Sequence, residues 1–110
     1  MTPAAFRKLA LSMPGATESP HFERASFRIG TKIFATLKAD GSEAMIPVKP
    51  LYRCYELIEA HPDQFFSFGT WTQKLGSLGL HLKAVDAKTV KPLLVEAFER
   101  IAPKKKQKKA

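Results

Sequence analysis

The sequence has a single cysteine, few glycines and no long apolar stretch. With only Cys54 among 110 residues, no disulfide can form within the chain, which agrees with a reducing compartment. Six glycines and eight prolines are too few for a fibrous, collagen-like chain. No run approaches the roughly 18 apolar residues of a membrane span. The N-terminus lacks the basic-then-apolar order of a secretory signal, so the chain is expected in the cytoplasm, off the membrane.

Signatures of common chemistries are missing too. There is no Walker loop and no Gly-x-Gly-x-x-Gly. Gly76-Ser-Leu-Gly79 falls short of the Gly-x-Ser-x-Gly that a nucleophile elbow requires. His21, His61 and His81 have no second ligand at helical or hairpin spacing, whereas zinc needs several converging donors. The ten carboxylates are scattered without an obvious acid/base pair. No catalytic residue, cofactor or metal is expected, and the chain does not read as an enzyme.

The composition itself is that of a globular domain, 45% apolar and 25% charged, and the length suits one domain. Charge is the unusual feature. The formal net charge is +8, from 18 basic and 10 acidic residues. Lys104, Lys105, Lys106, Lys108 and Lys109 all lie in the last seven residues. Without these five, thirteen basic residues face ten acidic ones and the body carries only +3. A block of like charge repels itself and buries nothing, so residues 104–110 are expected to be a disordered lysine-rich tail after a domain spanning 1–103. Such a tail serves either as a polyanion-binding arm or as a solubility tag.

Periodicity divides the domain. Thr2 and Pro3 mark a helix start. Phe6, Leu9, Ala10 and Met13 form its apolar stripe, and Pro14-Gly15 ends it. Two alternating runs follow, Phe27 to Ile29 and Ile33 to Lys38, with turns at Gly30-Thr31 and Asp40-Gly41 and a third strand from Glu43 to Val48. The first hairpin admits two registers. A two-residue turn pairs Ile29 with Lys32 and Phe27 with Phe34. A three-residue turn pairs Ile29 with Ile33 and Phe27 with Ala35, and a one-residue slip exchanges the faces. The second register gives the cleaner core and gathers Arg28, Lys32, Phe34 and Lys38 on the other face.

Pro50 opens a second helix with Leu51, Cys54, Tyr55 and Ile58 in its stripe, closed by His61-Pro62. Residues 64–69 read as a strand, 69–79 as a loop holding Trp71 and Lys74, and Leu78 to Lys83 as a fifth strand. The last helix carries Val90, Leu94, Ala97 and Ile101. Thr89 is favoured over Asp86 as its cap, since Pro92 then falls where no amide is needed. The predicted fold is α+β. It is a two-layer sandwich, helix–three strands–helix–two strands–helix, with a mainly antiparallel five-stranded sheet.

This order resembles the MmcQ/YjbR family. The matching stretches are Phe6-Arg-Lys-Leu-Ala-Leu-Ser-Met-Pro-Gly15, Ser26-Phe-Arg-Ile-Gly30, Lys32-Ile-Phe-Ala-Thr-Leu37, Trp71 and Ala102-Pro-Lys104. The resemblance implies a compact α/β sandwich that binds DNA with a double-wing arrangement, and no catalytic residue or cofactor. Many relatives resemble one another in a Trp-Gly followed by basic residues, whereas here Trp71 precedes Thr72-Gln73-Lys74.

Two binding surfaces follow. In the first, Arg28, Lys32, Phe34, Lys38 and Lys74 on the sheet, with the tail lysines, contact nucleic acid weakly through its backbone, which carries no sequence information. In the second, the exposed sheet face or a pocket near Trp71, His81 and Cys54 takes a protein or small ligand. Trp71 is either an exposed platform or a cap on the core, and Cys54 on its apolar stripe reads as a buried, inert thiol. An apolar concavity around Trp71 favours the second surface, whereas one basic face containing both Arg28 and Lys32 favours the first.

Overall fold

The computed structural model describes residues 1–21 and 23–102; the expected tail and its five lysines lie outside them. Four helices and six strands follow in the order α1 (Pro3–Leu11), β1 (Ala16–His21), β2 (Arg24–Ile29), β3 (Lys32–Lys38), β4 (Glu43–Pro47), α2 (Leu51–Ala60), β5 (Phe65–Ser67), α3 (Thr70–Leu75), β6 (Ser77–His81) and α4 (Ala87–Ile101). A 3-10 turn at Leu82–Ala84 links β6 to α4. Every strand pairing is antiparallel, in the spatial order β1-β2-β3-β4-β6-β5. The α+β class stands, with a six-stranded sheet in place of five strands. β1 has only Ala16 as an apolar residue and so shows no alternating signal. The segment expected to be a loop after Gly69 contains α3, too short for a helical period to show.

One face of the sheet is covered by helices. Phe27, Ala35, Leu37, Ala44, Ile46, Leu78, Leu80 and Phe65 meet Phe6 and Ala10 of α1, Cys54 of α2, and Val90 and Leu94 of α4 in one buried core. The Thr2 hydroxyl accepts from the Ala5 amide at 3.0 Å and caps α1. Asp86, not Thr89, caps α4: its carboxylate accepts from the Thr89 amide at 3.0 Å. Pro92 therefore sits inside the helix. It occupies an exposed position, so the missing amide falls on the solvent side of a helix whose inner stripe is held by packing.

Both hairpin registers occur, in different parts of the same pair. Ile29 pairs with Lys32 at the turn, while Phe27 pairs with Ala35 further on. The pairing shifts between Phe27 and Arg28, where Arg28 lies opposite Ile33. Phe34 is left as the extra residue of a β-bulge. A bulge places two successive side chains on one side, so Phe34 and Ala35 both enter the core, 1% and 0% exposed. The Phe34 ring meets Phe98 of α4 edge-on, with centroids 6.3 Å apart.

The expected basic face is accordingly divided. Phe34 is a core residue and not a platform for bases. Lys32 shares the register of Ile29 on the helix side, whereas Arg28 lies on the open face. Replacing Phe34 with Ala should destabilise the fold by about 3–5 kcal/mol in urea unfolding, the cost of deleting a buried aromatic ring. A change within about 0.5 kcal/mol would be that of a surface residue.

Candidate functional site

The open face of the sheet carries the polar remainder of each strand. Arg24, Ser26 and Arg28 on β2 alternate with the core residues, and Thr36, Met45, Pro47, Ser77 and Gly79 continue the surface across β3, β4 and β6. Its middle is dominated by Arg24. The Arg24 Nε donates to Thr36 Oγ1 at 2.9 Å, and the guanidinium lies over the Phe68 ring, 5.7 Å from its centroid. Arg28 lies down likewise, its Nε donating to Ser26 Oγ at 2.9 Å, while Ser26 Oγ donates to the Ser19 carbonyl at 2.8 Å. These long side chains explain why Ser26 and Thr36 are buried on a face without a helix layer.

One terminal nitrogen of Arg24, Nη2, is buried and has no hydrogen-bond partner among the described residues. Burial pulls this guanidinium below its ordinary pKa, opposed by the charges of Glu43 and Asp40. Neither carboxylate forms an ion pair with it; Asp40 Oδ2 lies 3.9 Å from the Lys38 ammonium instead.

Beside Arg24 the face deepens into a groove of about 570 Å³, lined by Arg24, Ile33, Thr36, Met45, Pro47, Phe68, Trp71, Leu75 and Ser77. Trp71 and Leu75 come from α3, one helical turn apart, and are 64% and 53% exposed. Both are large apolar side chains standing in solvent at the rim of a concavity.

A buried threonine holds α3 in place. Thr72 is fully buried; its hydroxyl accepts from the Phe68 amide at 2.7 Å and donates to the Ser77 carbonyl at 2.5 Å. The helix ends at Gly76 with φ +70°, where a Cβ would stand 2.6 Å from the Val48 carbonyl oxygen. The Gly76 carbonyl in turn accepts from the Val48 amide at 2.8 Å. At Gly79 the space of a side chain is filled by the Phe66 ring, 2.5 Å from where a Cβ would lie. That ring stacks on His81, centroids 4.5 Å apart, and touches Phe68 at 5.0 Å.

The structure thus sorts the expected site residues. Trp71 lines the groove. His81 lies on the same face against Phe66 but does not line the groove. Cys54 belongs to the core, 0% exposed, its Sγ directed at the carbonyls of Gly76 and Val48 at 3.4 and 3.5 Å; burial raises the thiol's pKa. It is therefore removed from the pocket, as its apolar helix stripe foretold. Arg28 and Lys38 share the open face, whereas Lys32 does not. Lys74 is exposed on α3 but is not part of the groove lining. Arg24, Phe68 and Leu75 also line the groove and are not among the expected site residues. The pattern Arg24-x-Ser26-x-Arg28 already placed Arg24 on the face of Arg28.

Other cations are engaged elsewhere. Arg7 pairs with Glu18 at 2.9 Å, Arg53 of α2 pairs with Glu96 of α4, and Arg100 donates to the Pro47 carbonyl at 2.6 Å. Among the described residues no three His, Cys, Asp or Glu side chains gather as metal ligands, and no helix is long and apolar enough to cross a membrane.

Comparison with known proteins agrees with the fold. The YjbR family model matches residues 11–100. A crystal structure of the Deinococcus radiodurans protein DR2400, a DUF419 domain, superposes with a TM-score of 0.73 at 22% identity, covering 88% of this chain and 75% of the other. No curated protein matches.

Thr72→Val keeps the volume of the side chain but leaves the Phe68 amide and the Ser77 carbonyl unpaired. It should cost about 1–3 kcal/mol for each buried group left unsatisfied. Amide exchange in residues 68–77 should accelerate more than in β2 and β3; uniform acceleration would mean that Thr72 does not position α3 specifically.

Proposed function

The chain belongs to the YjbR family, and we propose that it works as a non-catalytic binding module whose working surface is the open sheet face, with the groove beside Trp71 taking a small ligand that has an apolar body. The observation that carries this reading is the exposed pair Trp71 and Leu75 at the rim of a 570 Å³ concavity. That volume falls within the range of small-molecule sites, and the mixture of apolar walls with a few polar groups is what such sites use for affinity and orientation. Trp71 is the sole tryptophan, so its emission reports on the site directly. Titration with the neutral dye Nile red should saturate at one equivalent with a blue shift. Trp71→Ala should weaken binding at least tenfold without moving the thermal midpoint. Unsaturable binding, or binding indifferent to Trp71, rejects the groove.

A second reading, nucleic-acid contact, is favoured by the five lysines between Lys104 and Lys109. Arg28 and Lys38 on the open face and Lys74 on α3 would add backbone contacts, in line with the DNA binding that the family resemblance implies. Phosphate contacts release counterions, so affinity should fall steeply with salt. If all five tail lysines engage duplex DNA, a 1–103 chain should lose roughly 4–5 from the slope of log affinity against log salt. Absence of binding by the full chain at about 50 mM salt would remove this reading.

A further inference from the structure

We infer that the groove beside Trp71 recognises a small carboxylate, with the acid group held by Arg24 and the apolar body lying between Trp71 and Leu75. This deepens the groove reading above and rests on it. The starting point is the unfilled hydrogen-bonding capacity of Arg24. Its Nε is satisfied by Thr36, its flat face is covered by Phe68, and Nη2 is buried without an acceptor. A buried donor left unpaired is costly. The orphan nitrogen is sealed from solvent, but it belongs to a cation that lines the groove, so an oxyanion that draws the guanidinium off the Phe68 ring and into the groove would give it the charge-assisted hydrogen bond it lacks.

The charge of the occupant follows from what surrounds it. Among the described residues Arg24 is the sole ionisable one lining the groove; the remaining walls are apolar or hydroxyl-bearing. The carboxylates of Glu43 and Asp40 act on Arg24 through space and would repel a second negative charge, while Lys38 is engaged by Asp40. One guanidinium balances one negative charge. A phosphate monoester brings about −1.5 to −2 and would leave charge uncompensated against apolar walls. A carboxylate brings one charge and a planar pair of oxygens that match the terminal nitrogens of a guanidinium whose Nε is already occupied. The space suits a ligand of about twenty non-hydrogen atoms, taking roughly 30 Å³ for each water-sized unit.

Calorimetric titration of the full chain with 4-phenylbutyrate and its neutral isostere 4-phenylbutyramide tests this. The acid should bind at least tenfold more tightly than the amide. Arg24→Met should abolish that preference, read as the ratio of acid to amide affinity within the variant itself. Arg24→Lys, which keeps the charge without the fork, should retain a reduced preference and decides the matter if the Met variant does not fold. Equal affinity for acid and amide in a protein that still binds Nile red overturns the carboxylate assignment and leaves the groove standing. Failure of Nile red to bind overturns both. Displacement of 4-phenylbutyrate by a micromolar oligothymidylate would transfer the groove to phosphodiesters and overturn the assignment as well.

Discussion

The pairing of β2 with β3 governs what the sheet can present to solvent. At the turn Ile29 must meet Lys32, while two residues back along β2 Phe27 must meet Ala35, three residues on along β3. Both can hold only if β3 spends one residue without a partner, and Phe34 is that residue. The bulge sends two neighbouring side chains into the core and restores the alternation beyond it. Thr36 and Ile33 thereby share one face with Arg24 and Arg28, and Leu37 and Ala35 share the other. Without the shift the hydrophobic set of one strand end would point into solvent. The open face would then be an aromatic and lysine surface instead of a shallow polar floor crossed by arginines.

The groove depends on that floor and on the short helix at its rim. Six residues are too few for a helix to be stable alone. α3 exists because Thr72 fixes both flanking segments through one hydroxyl and because Gly76 allows the chain to turn against the Val48 carbonyl. Cys54 supports the same junction from the core side through the carbonyls of Gly76 and Val48. Trp71 and Leu75 are thus displayed by a scaffold of backbone hydrogen bonds and not by their own packing. This reconciles their exposure with defined positions.

Much of the fold could be read from periodicity, because the strongest stripes are also the deepest core: Phe6 with Ala10, Val90 with Leu94, Leu78 with Leu80. The parts that escaped have specific causes. β1 is almost wholly polar, since it covers the sheet edge and contributes little apolar area. α3 is shorter than two helical turns. α4 is capped by Asp86 and not by Thr89 because an exposed position inside a well-packed helix carries the loss of the Pro92 amide. The hairpin resisted a single answer because each register was correct for half its length. Trp71 was legible as a candidate from its glycine-flanked surroundings. Arg24 was not, since its importance comes from an unpaired nitrogen and from Phe68 folding back across the face, a contact between residues more than forty positions apart.

The borders of the sheet limit how anything can approach it. β1, the outer strand on one side, contains Pro20, which has no amide to offer. β5, the outer strand on the other, is three residues long. A proline interruption at one margin and a stub at the other give little template for an added strand. Self-association by strand exchange is disfavoured, and an incoming molecule finds no continuous ladder to extend. What the open face presents to solvent is consequently set by side chains standing on a plane, with the backbone ladder beneath them closed to additions.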